Sequence, residues 1–341
     1  MRVLHVISSD RFAGVERHVA LLAAAQHDAG KDVVVVGGAA GPMVAAIERP
    51  GVRHLAAPTL VRATQQARAF APRADVVHVH MTASEVAGVV GAMGTSAAVV
   101  TTRHFAERRG STPPARLVGR WAARRMAGQI AVSHYAADAL EGDSVVVHAG
   151  VRNGPDESGV LGRGRTVLLA QRLEREKRAD LALQVFAASG LASAGWILEV
   201  AGTGGEHDQL VRLAARLRIS EQTRFVGQQG DVAGLMARAG IFLAPRPDEA
   251  YGLSVLEAMA AGLPVVAAGG GGHLETVGRL EHAALYPPGN LSAAADLLSD
   301  LAEDVERRGS LATGQQLLQR SSFTLETQES ATDAVYRRLL R

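Results

Sequence analysis

The stretch EAYGLSVLEAMAAGLPVV, residues 249–266, sets two glutamates, Glu249 and Glu257, eight positions apart around a Gly252-Leu253-Ser254 turn. Two such carboxylates can work as a catalytic acid, as a clamp on ligand hydroxyls, or as ordinary capping groups. Ser254-Val255-Leu256-Glu257 fits the S-x-x-E capping box, so Glu257 can simply close a helix start. Glu249 alone can be a solvated loop acid. If a helix opens near Ser254, its first amides lack partners within the helix and carry partial positive charge, which suits a phosphate. Gly252 would let such a ligand approach the backbone closely.

A second set lies upstream. In VLLAQRLEREKR, residues 167–178, Arg172 ends an apolar run and Lys177 follows five residues later. A guanidinium and an ammonium together can offset the charge of a diphosphate and stabilise it as a leaving group. A solvated charge run is the plain alternative. In SSDRFAGVERH, residues 8–18, Gly14 stands where a strand would turn into a helix, again a place for a phosphate. VAGTGG, residues 200–205, resembles part of a dinucleotide fingerprint. Gly202, Gly204 and Gly205 do not complete its spacing, so a nicotinamide cofactor is not expected.

The histidines divide. His78 and His80 are two apart in an apolar run and face the same side of a strand. H-x-H can bind a metal, but no cysteine or nearby acid completes a set, so they read as neutral histidines, buried or lining a cleft. His104 follows the run AAVVTT and falls at a strand end, where it could hydrogen-bond a substrate or lie on a plain surface.

These residues need a frame. RVLHVI, DVVVVG, DVVHVH (75–80), AAVVTT (97–102), GQIAVS (128–133) and SVVVH (144–148) read as strands. They are continuously apolar, which suits parallel strands buried on both faces. GVERHVALLAAAQHDAG reads as a helix stopped by Gly30, and Ser133 as the cap of HYAADALEG. The Gly-rich, charged stretch 148–165 breaks the rhythm. It restarts with strands TVLLAQR, WILEVAG, TRFVG, GIFLAP and LPVVAA. The helices between them are RADLALQVFAAS, EHDQLVRLAARLR, DVAGLMARA and SVLEAMAA. LSAAADLLSDLAEDVERR, LATGQQLLQR and a segment near 324–340 finish the chain as helices.

This predicts an α/β fold of two doubly wound, Rossmann-like domains facing a central cleft. The expected bounds are 1–150 for the first domain, 151–165 for a linker and 166–322 for the second. A C-terminal helix, 323–341, could cross back to the first. Ligands of open α/β sheets bind outside the strand carboxyl ends. The 341 residues and 47% hydrophobic content allow two sizeable cores, and 4% aromatics makes those cores Ala, Val and Leu. No cysteine is present, which excludes disulfides, thiolate metal sites and cysteine nucleophiles. No apolar run is long enough to span a membrane, and the N-terminus lacks a signal-peptide pattern. A soluble cytoplasmic protein is expected.

The net charge of +2 is uneven. Residues 1–150 hold 16 Lys+Arg against 11 Asp+Glu, and residues 151–341 hold 20 against 23. Seven arginines crowd into 103–125, while the only lysines are Lys31 and Lys177. Such arginine usage fits a GC-rich, bacterial genome.

DEAYGLSVLEAMAAGLPVVA resembles the E-x7-E signature of retaining glycosyltransferase family 4, whose fold is GT-B. LLAQRLEREKRADLAL is similar to that family's G-R-L…K-G segment, and TRFVGQQGDVAGLMARAGIFLAP to the stretch before its E-x7-E. DVVHVH, the Gly14 turn and HAGVRNG fall in the family's order, so the resemblance covers nearly the whole chain.

It implies that Arg172 and Lys177 hold the donor diphosphate and that Glu257 binds the nucleotide ribose. It implies that Glu249 faces the donor sugar and that Gly252, Leu253 and Ser254 offer amides to phosphate. Val226 and Gly227 would meet the base through backbone. Gly14 would form the phosphate-side turn of the first domain, and His104 would face the sugar. Ala13, Gln171, Arg246, Ala250 and His148-Ala149 depart from the family's usual residues and put donor-sugar specificity in question.

The implied reaction moves a sugar from a UDP- or GDP-sugar to a hydroxyl of a small molecule, a glycan or a lipid-linked sugar. Configuration is retained, with neither cofactor nor metal. The glutamate pair is not a retaining-glycosidase pair, which would flank one bond about 5–5.5 Å apart. Other readings are a sugar-nucleotide epimerase of the same architecture and a non-catalytic nucleotide-sugar binding protein. No nucleic acid partner is expected. Residues 103–126, with PARLVGRWAARRM at their end, could be a basic helix touching the inner membrane face, or an arginine-rich outer face of the domain.

Overall fold

The computed structural model describes residues 1–155 and 162–341, so the 151–165 linker expectation falls partly outside the described residues. The chain divides into two compact units, one of Met1–Gly150 with Leu325–Arg341 and one of Val151–Thr324.

The first unit is built on β1 (Arg2–Val6), β2 (Asp32–Val36), β3 (Arg53–Leu55), β4 (Val76–His80), β5 (Ala98–Arg103), β6 (Gly128–Ala131) and β7 (Val145–Val146). They form one sheet in the order β3-β2-β1-β4-β5-β6-β7, and every pairing is parallel. Its helices are α1 (Gly14–Asp28), α2 (Ala40–Ile47), α3 (Leu60–Phe70), α4 (Thr82–Ala92), α5 (Pro113–Ala123) and α6 (His134–Ala139). Gly30, at φ 80°, ends α1, and the Ser133 hydroxyl caps α6 by accepting the Ala136 N–H at 2.9 Å. The expected strand 144–148 shrinks to the two-residue edge strand β7.

The second unit holds β8 (Thr166–Ala170), β9 (Ile197–Ala201), β10 (Thr223–Gly227), β11 (Ile241–Ala244), β12 (Val265–Ala268) and β13 (Leu285–Tyr286). The order is β10-β9-β8-β11-β12-β13, again all parallel. Helices α7 (Ala179–Ala188), α8 (His207–Arg216), α9 (Val232–Arg238), α10 (Leu253–Ala260), α11 (Leu291–Glu303) and α12 (Val305–Ser322) surround it. The single helix expected over 291–308 is two helices. Asp304 takes an extended conformation, and its carboxylate accepts the Arg307 N–H at 2.8 Å, so it ends α11 and caps α12.

Helix α13 (Leu325–Leu339) returns to the first unit. There Val335 and Tyr336 pack with Val3, Val76, Val100 and Ile130. Lys31, nearly buried on the first unit, pairs with Glu329 and lies 2.9 Å from Asp333 of the same helix. Both units are thus parallel sheets covered by helices, with cores mainly of Val, Leu and Ala.

Candidate functional site

In the second unit the chain runs outward from β8 to β9 and β10, then returns to the other side of β8 as β11. The loops after β8 and β11 therefore part at the point where strand order reverses, where open α/β sheets hold ligands. The first loop carries Gln171, Arg172 and a 3₁₀ turn, Arg175–Lys177; the second carries Arg246 to Gly252. They meet through an ion pair: Lys177 Nζ lies 2.7 Å from Glu249 Oε2. Arg246 Nη1 is 3.8 Å from the same oxygen, while its Nε holds Asp248 at 3.0 Å. Gln171, Arg246, Glu249, Gly252, Ser254 and His273 line one small pocket.

Local backbone chemistry sets this meeting. Gln171, one of the departures from the family pattern, donates its amide to the Lys177 carbonyl at 2.8 Å and so fixes the lysine's turn. Gly204 of VAGTGG lies where a Cβ would come within 2.3 Å of the Leu173 carbonyl oxygen, and the Leu173 N–H bonds the Thr203 carbonyl at 2.9 Å. That glycine run serves close packing against the Arg172 loop. After β12, a Cβ at Gly272 would sit 2.6 Å from Tyr251 Cα and 2.7 Å from the Ala250 carbonyl oxygen. The Gly272 N–H instead reaches the Glu249 carbonyl at 2.8 Å. The 269–272 glycines thereby seat the loop that carries Glu249.

Helix α10 begins one residue earlier than expected. Gly252, at φ 90°, is its N-cap, a left-handed position that favours glycine. Ser254 is therefore the second helical residue and no side chain caps the end, so Ser254 and Glu257 do not form a capping box. Glu257 opens the second turn. The Gly252 carbonyl takes the Val255 and Leu256 N–H groups, and the end of α10 opens on the pocket through Gly252 and Ser254.

Burial by itself would raise the pKa of Glu249. The charge and hydrogen bond of Lys177, with Arg246 behind them, outweigh it and hold the carboxyl below its ordinary range, as an anion. His273 is buried and its pKa is lowered by that burial. Its Nδ1 bonds the Ala268 carbonyl at 3.0 Å, which places the proton there. The Nε2 lone pair lies 3.5 Å from where a Gly252 Cβ would stand. Sequence reasoning did not single out His273 or Gly272, and it noted Arg246 only as a departure. Their one sequence signal is position, just after a strand.

Not every predicted residue joins the pair. Arg172 is half exposed and bonds Glu176 at 3.0 Å. Val226 and Gly227 end β10; the Val226 carbonyl accepts the Gln229 side-chain amide, and the Gly227 carbonyl accepts the Gly202 N–H at 2.8 Å. Gly14 is the first residue of α1, whose entry is already met by the buried Glu16, which accepts the Ala13 N–H at 2.9 Å. Of the seven arginines in 103–125, Arg103 and Arg109 are buried rather than solvated. Arg109 makes a bidentate pair with the buried Glu85, at 2.7 and 3.0 Å. Arg108, Arg116, Arg120, Arg124 and Arg125 remain exposed, with Leu117 70% and Val118 47% exposed beside them. Trp121 and Met126 pack onto the core instead.

His104 lies in a group the sequence did not reveal. β1 and β4 pair in register with His5 opposite His78, and His80 follows on the same face. His18 from α1 and His104 after β5 complete five clustered imidazoles. Burial first, and the neighbouring rings second, push His78 and His80 well below the ordinary histidine range. His104 is shifted the same way by burial, His18 and Arg103. His5 falls to about 4 and His18 to about 3. Metal binding by H-x-H alone was not expected. The fold nonetheless brings His5, His78 and His80, and likewise His18, His80 and His104, within metal-triad range.

Comparison with known proteins follows the two units. Residues 12–156 match the family model described as Glycosyltransferase Family 4, and residues 155–315 that described as Glycosyl transferases group 1. A phosphatidyl-myo-inositol mannosyltransferase of Mycobacterium leprae is 31% identical over 215 residues, 59% of this chain and 57% of that protein. A GDP-mannose-dependent alpha-(1-6)-phosphatidylinositol dimannoside mannosyltransferase of Mycobacterium tuberculosis is 41% identical over 95 residues, 28% of this chain and 25% of that protein. The chain thus spans less than two thirds of the length of these curated relatives. Anabaena HepE, in complex with UDP and glucose, shares the fold with a TM-score of 0.81 at 20% identity, over 99% of this chain and 100% of that one.

Proposed function

The chain belongs to the family 4 type of glycosyltransferases, with the GT-B fold, and from that premise we propose that it transfers a sugar from a nucleotide diphosphate sugar to an acceptor hydroxyl, with retention and without metal. The observation that carries this is the Lys177–Glu249 pair, set at the strand-order reversal of the second unit beside the start of α10, where Gly252 is the N-cap and no side chain bonds the first amides. A diphosphate placed there meets the free amides of the helix end and the lysine charge together.

The step balances within the substrates. The bond from the anomeric carbon to the diphosphate breaks, and its electron pair stays on the leaving phosphate oxygen. The acceptor oxygen bonds the same face of the carbon, and its proton passes to that phosphate oxygen. Lys177, shared between Glu249 and the diphosphate, stabilises the charge as it develops, and Arg172 exchanges Glu176 for the phosphate. These cations supply the positive charge that a divalent ion would otherwise supply. Glu249, held anionic, accepts hydrogen bonds from hydroxyls of the donor sugar and positions it. Glu257 clamps the ribose, and the Val226–Gly227 backbone meets the base. His104 and the Gly14 turn keep the sugar-facing and phosphate-side roles that the family resemblance gives them.

The donor base is uracil or guanine: one relative is named for GDP-mannose, and HepE is described with UDP. A lipid-linked acceptor fits the mannosyltransferase relatives, and the exposed arginines with Leu117 and Val118 suit peripheral contact with an anionic membrane face. No helix among the described residues is long and apolar enough to cross a membrane.

The test is Lys177→Ala against a panel of nucleotide diphosphates and their sugars. In the wild-type protein one diphosphate at about a hundred times its Kd should add roughly 2.7 kcal/mol to stability. The variant should stay folded without ligand, at a lower melting temperature because Glu249 loses its partner, lose most of that increment, and lose turnover about 10²-fold or more. Near-normal turnover in the folded variant would remove Lys177 from the reaction.

A further inference from the structure

The histidine cluster of the first unit can be filled with protons in two opposite senses, contact lengths at Gln26 favour one of them, and we propose that this order fixes His104 as the Nε2–H tautomer, so that its Nδ1 receives a substrate hydroxyl as an acceptor. The inference rests on the reading that His104 faces the sugar. Gln26, His5 and His80 are then positioning residues for it.

The order starts at Gln26, which is fully buried. Its Oε1 lies 2.7 Å from His5 Nε2, and its Nε2 lies 3.2 Å from the Tyr336 hydroxyl. N–H···O bonds span about 2.7–3.2 Å and O–H···O bonds about 2.5–3.0 Å. The longer contact therefore suits an amide donating to the phenol, and the shorter one suits His5 donating to the carbonyl. A neutral imidazole has one N–H, so a proton on His5 Nε2 leaves Nδ1 as an acceptor. His5 Nδ1 sits 3.0 Å from His80 Nε2, which must donate. His80 Nδ1 then accepts from His104 Nε2 at 3.1 Å. His104 Nδ1 keeps its lone pair and has no hydrogen-bond partner among the described residues.

A second branch can be filled in the same sense, although its two 2.6 Å contacts are shorter than the N–H···O range and set no direction of their own. The Tyr336 hydroxyl accepts from Gln26, so its one proton goes to His78 Nδ1 at 2.6 Å. His78 Nε2–H then donates to Thr102 Oγ1 at 2.6 Å. Nowhere do two protons or two lone pairs face each other. Turning the Gln26 amide over would reverse both branches, which makes that one side chain the determinant. His18 stands outside the order. Gln328 Oε1 takes the Gly150 N–H at 2.8 Å, so its amide donates to His18 Nε2 at 3.2 Å.

The same nitrogens could instead converge on a metal ion. The geometry favours the hydrogen-bonded order. His5, His78 and His80 each have both ring nitrogens engaged, and neither triad includes a carboxylate to offset a buried dication.

Nitrogen-15 NMR of the full chain with labelled histidine reads the tautomers directly, with His104 assigned by a His104→Gln variant. The expected spectrum shows His104 as one tautomer, protonated at Nε2. Gln26→Glu keeps an acceptor opposite His5 and should preserve that signal. Gln26→Met removes it and should give a mixture at His104. A wild-type His104 that is mixed, or protonated at Nδ1, overturns the proposal, as does a signal unmoved in Gln26→Met. Stoichiometric zinc in the purified protein, or loss of the ring N–H signals on adding Zn²⁺, overturns it in favour of a metal centre. Transfer activity of His104→Ala separates the premise from the inference. Unchanged turnover with the tautomer intact means that the substrate-acceptor role fails while the proton order stands.

Discussion

Lowering the pH from 7.5 to 5.5 should weaken the first unit far more than the second. His5 and His18, with pKa values near 4 and 3, stay neutral in the folded protein across this range, whereas an unfolded histidine takes up a proton near 6.5. The sign follows from proton binding. The unfolded state binds more protons, so stability is full above about 6.5 and is lost as pH falls toward the folded values. At pH 5.5 each of these two residues costs on the order of 1 kcal/mol, a few kcal/mol together. His78, His80 and His104 push the same way. Carboxylates add little in this window, because their unfolded pKa values lie near 4.

Single-tryptophan variants make the assay unit-specific, since Trp121 lies in the first unit and Trp196 in the second. In urea titrations followed by fluorescence, the Trp121 transition should move to lower urea at pH 5.5 with an unchanged slope. The Trp196 transition should move less, because His273 is the one histidine with a lowered pKa among the described residues of that unit. A Trp121 midpoint that is constant or higher at pH 5.5 would refute a buried, neutral cluster.

Two further outcomes follow from the site and the surface. Gly272→Ala puts a methyl group against the backbone of Tyr251 and Ala250 and must shift the Glu249 loop. Turnover in a transfer assay should fall about a hundredfold while the protein stays folded, as expected for a misplacement near 1 Å, and wild-type turnover would show that the glycine does not seat the site. If the α5 face meets lipid, co-sedimentation should require anionic vesicles, weaken with salt, and drop in a Leu117→Glu, Val118→Glu variant; no response to anionic lipid would dispose of the contact.

The fold was readable where its signals were local. Continuous apolar strands gave both parallel sheets, and Gly30 and Ser133 marked helix ends where they were expected. What escaped depended on partners distant in sequence. The break at Asp304 shows a local cap overriding a helix-period pattern, and Gly252 took the capping role that Ser254 and Glu257 seemed to share. Lys177 and Glu249 were each visible as charges, but their pairing across 72 positions needed the strand order. Beyond the H-x-H of His78 and His80, the histidines at 5, 18 and 104 join no sequence motif. All five become a cluster only because β1 sits beside β4 and β4 beside β5.

The return of α13 has a consequence for how the protein is made. Tyr336 and Gln328 complete the hydrogen bonds of the first unit, and Lys31 waits for Glu329 and Asp333. During synthesis residues 1–150 leave the ribosome with that cluster open, and the whole second unit must follow before the closing helix emerges. Of the two units, the one translated first is thus the last to be finished.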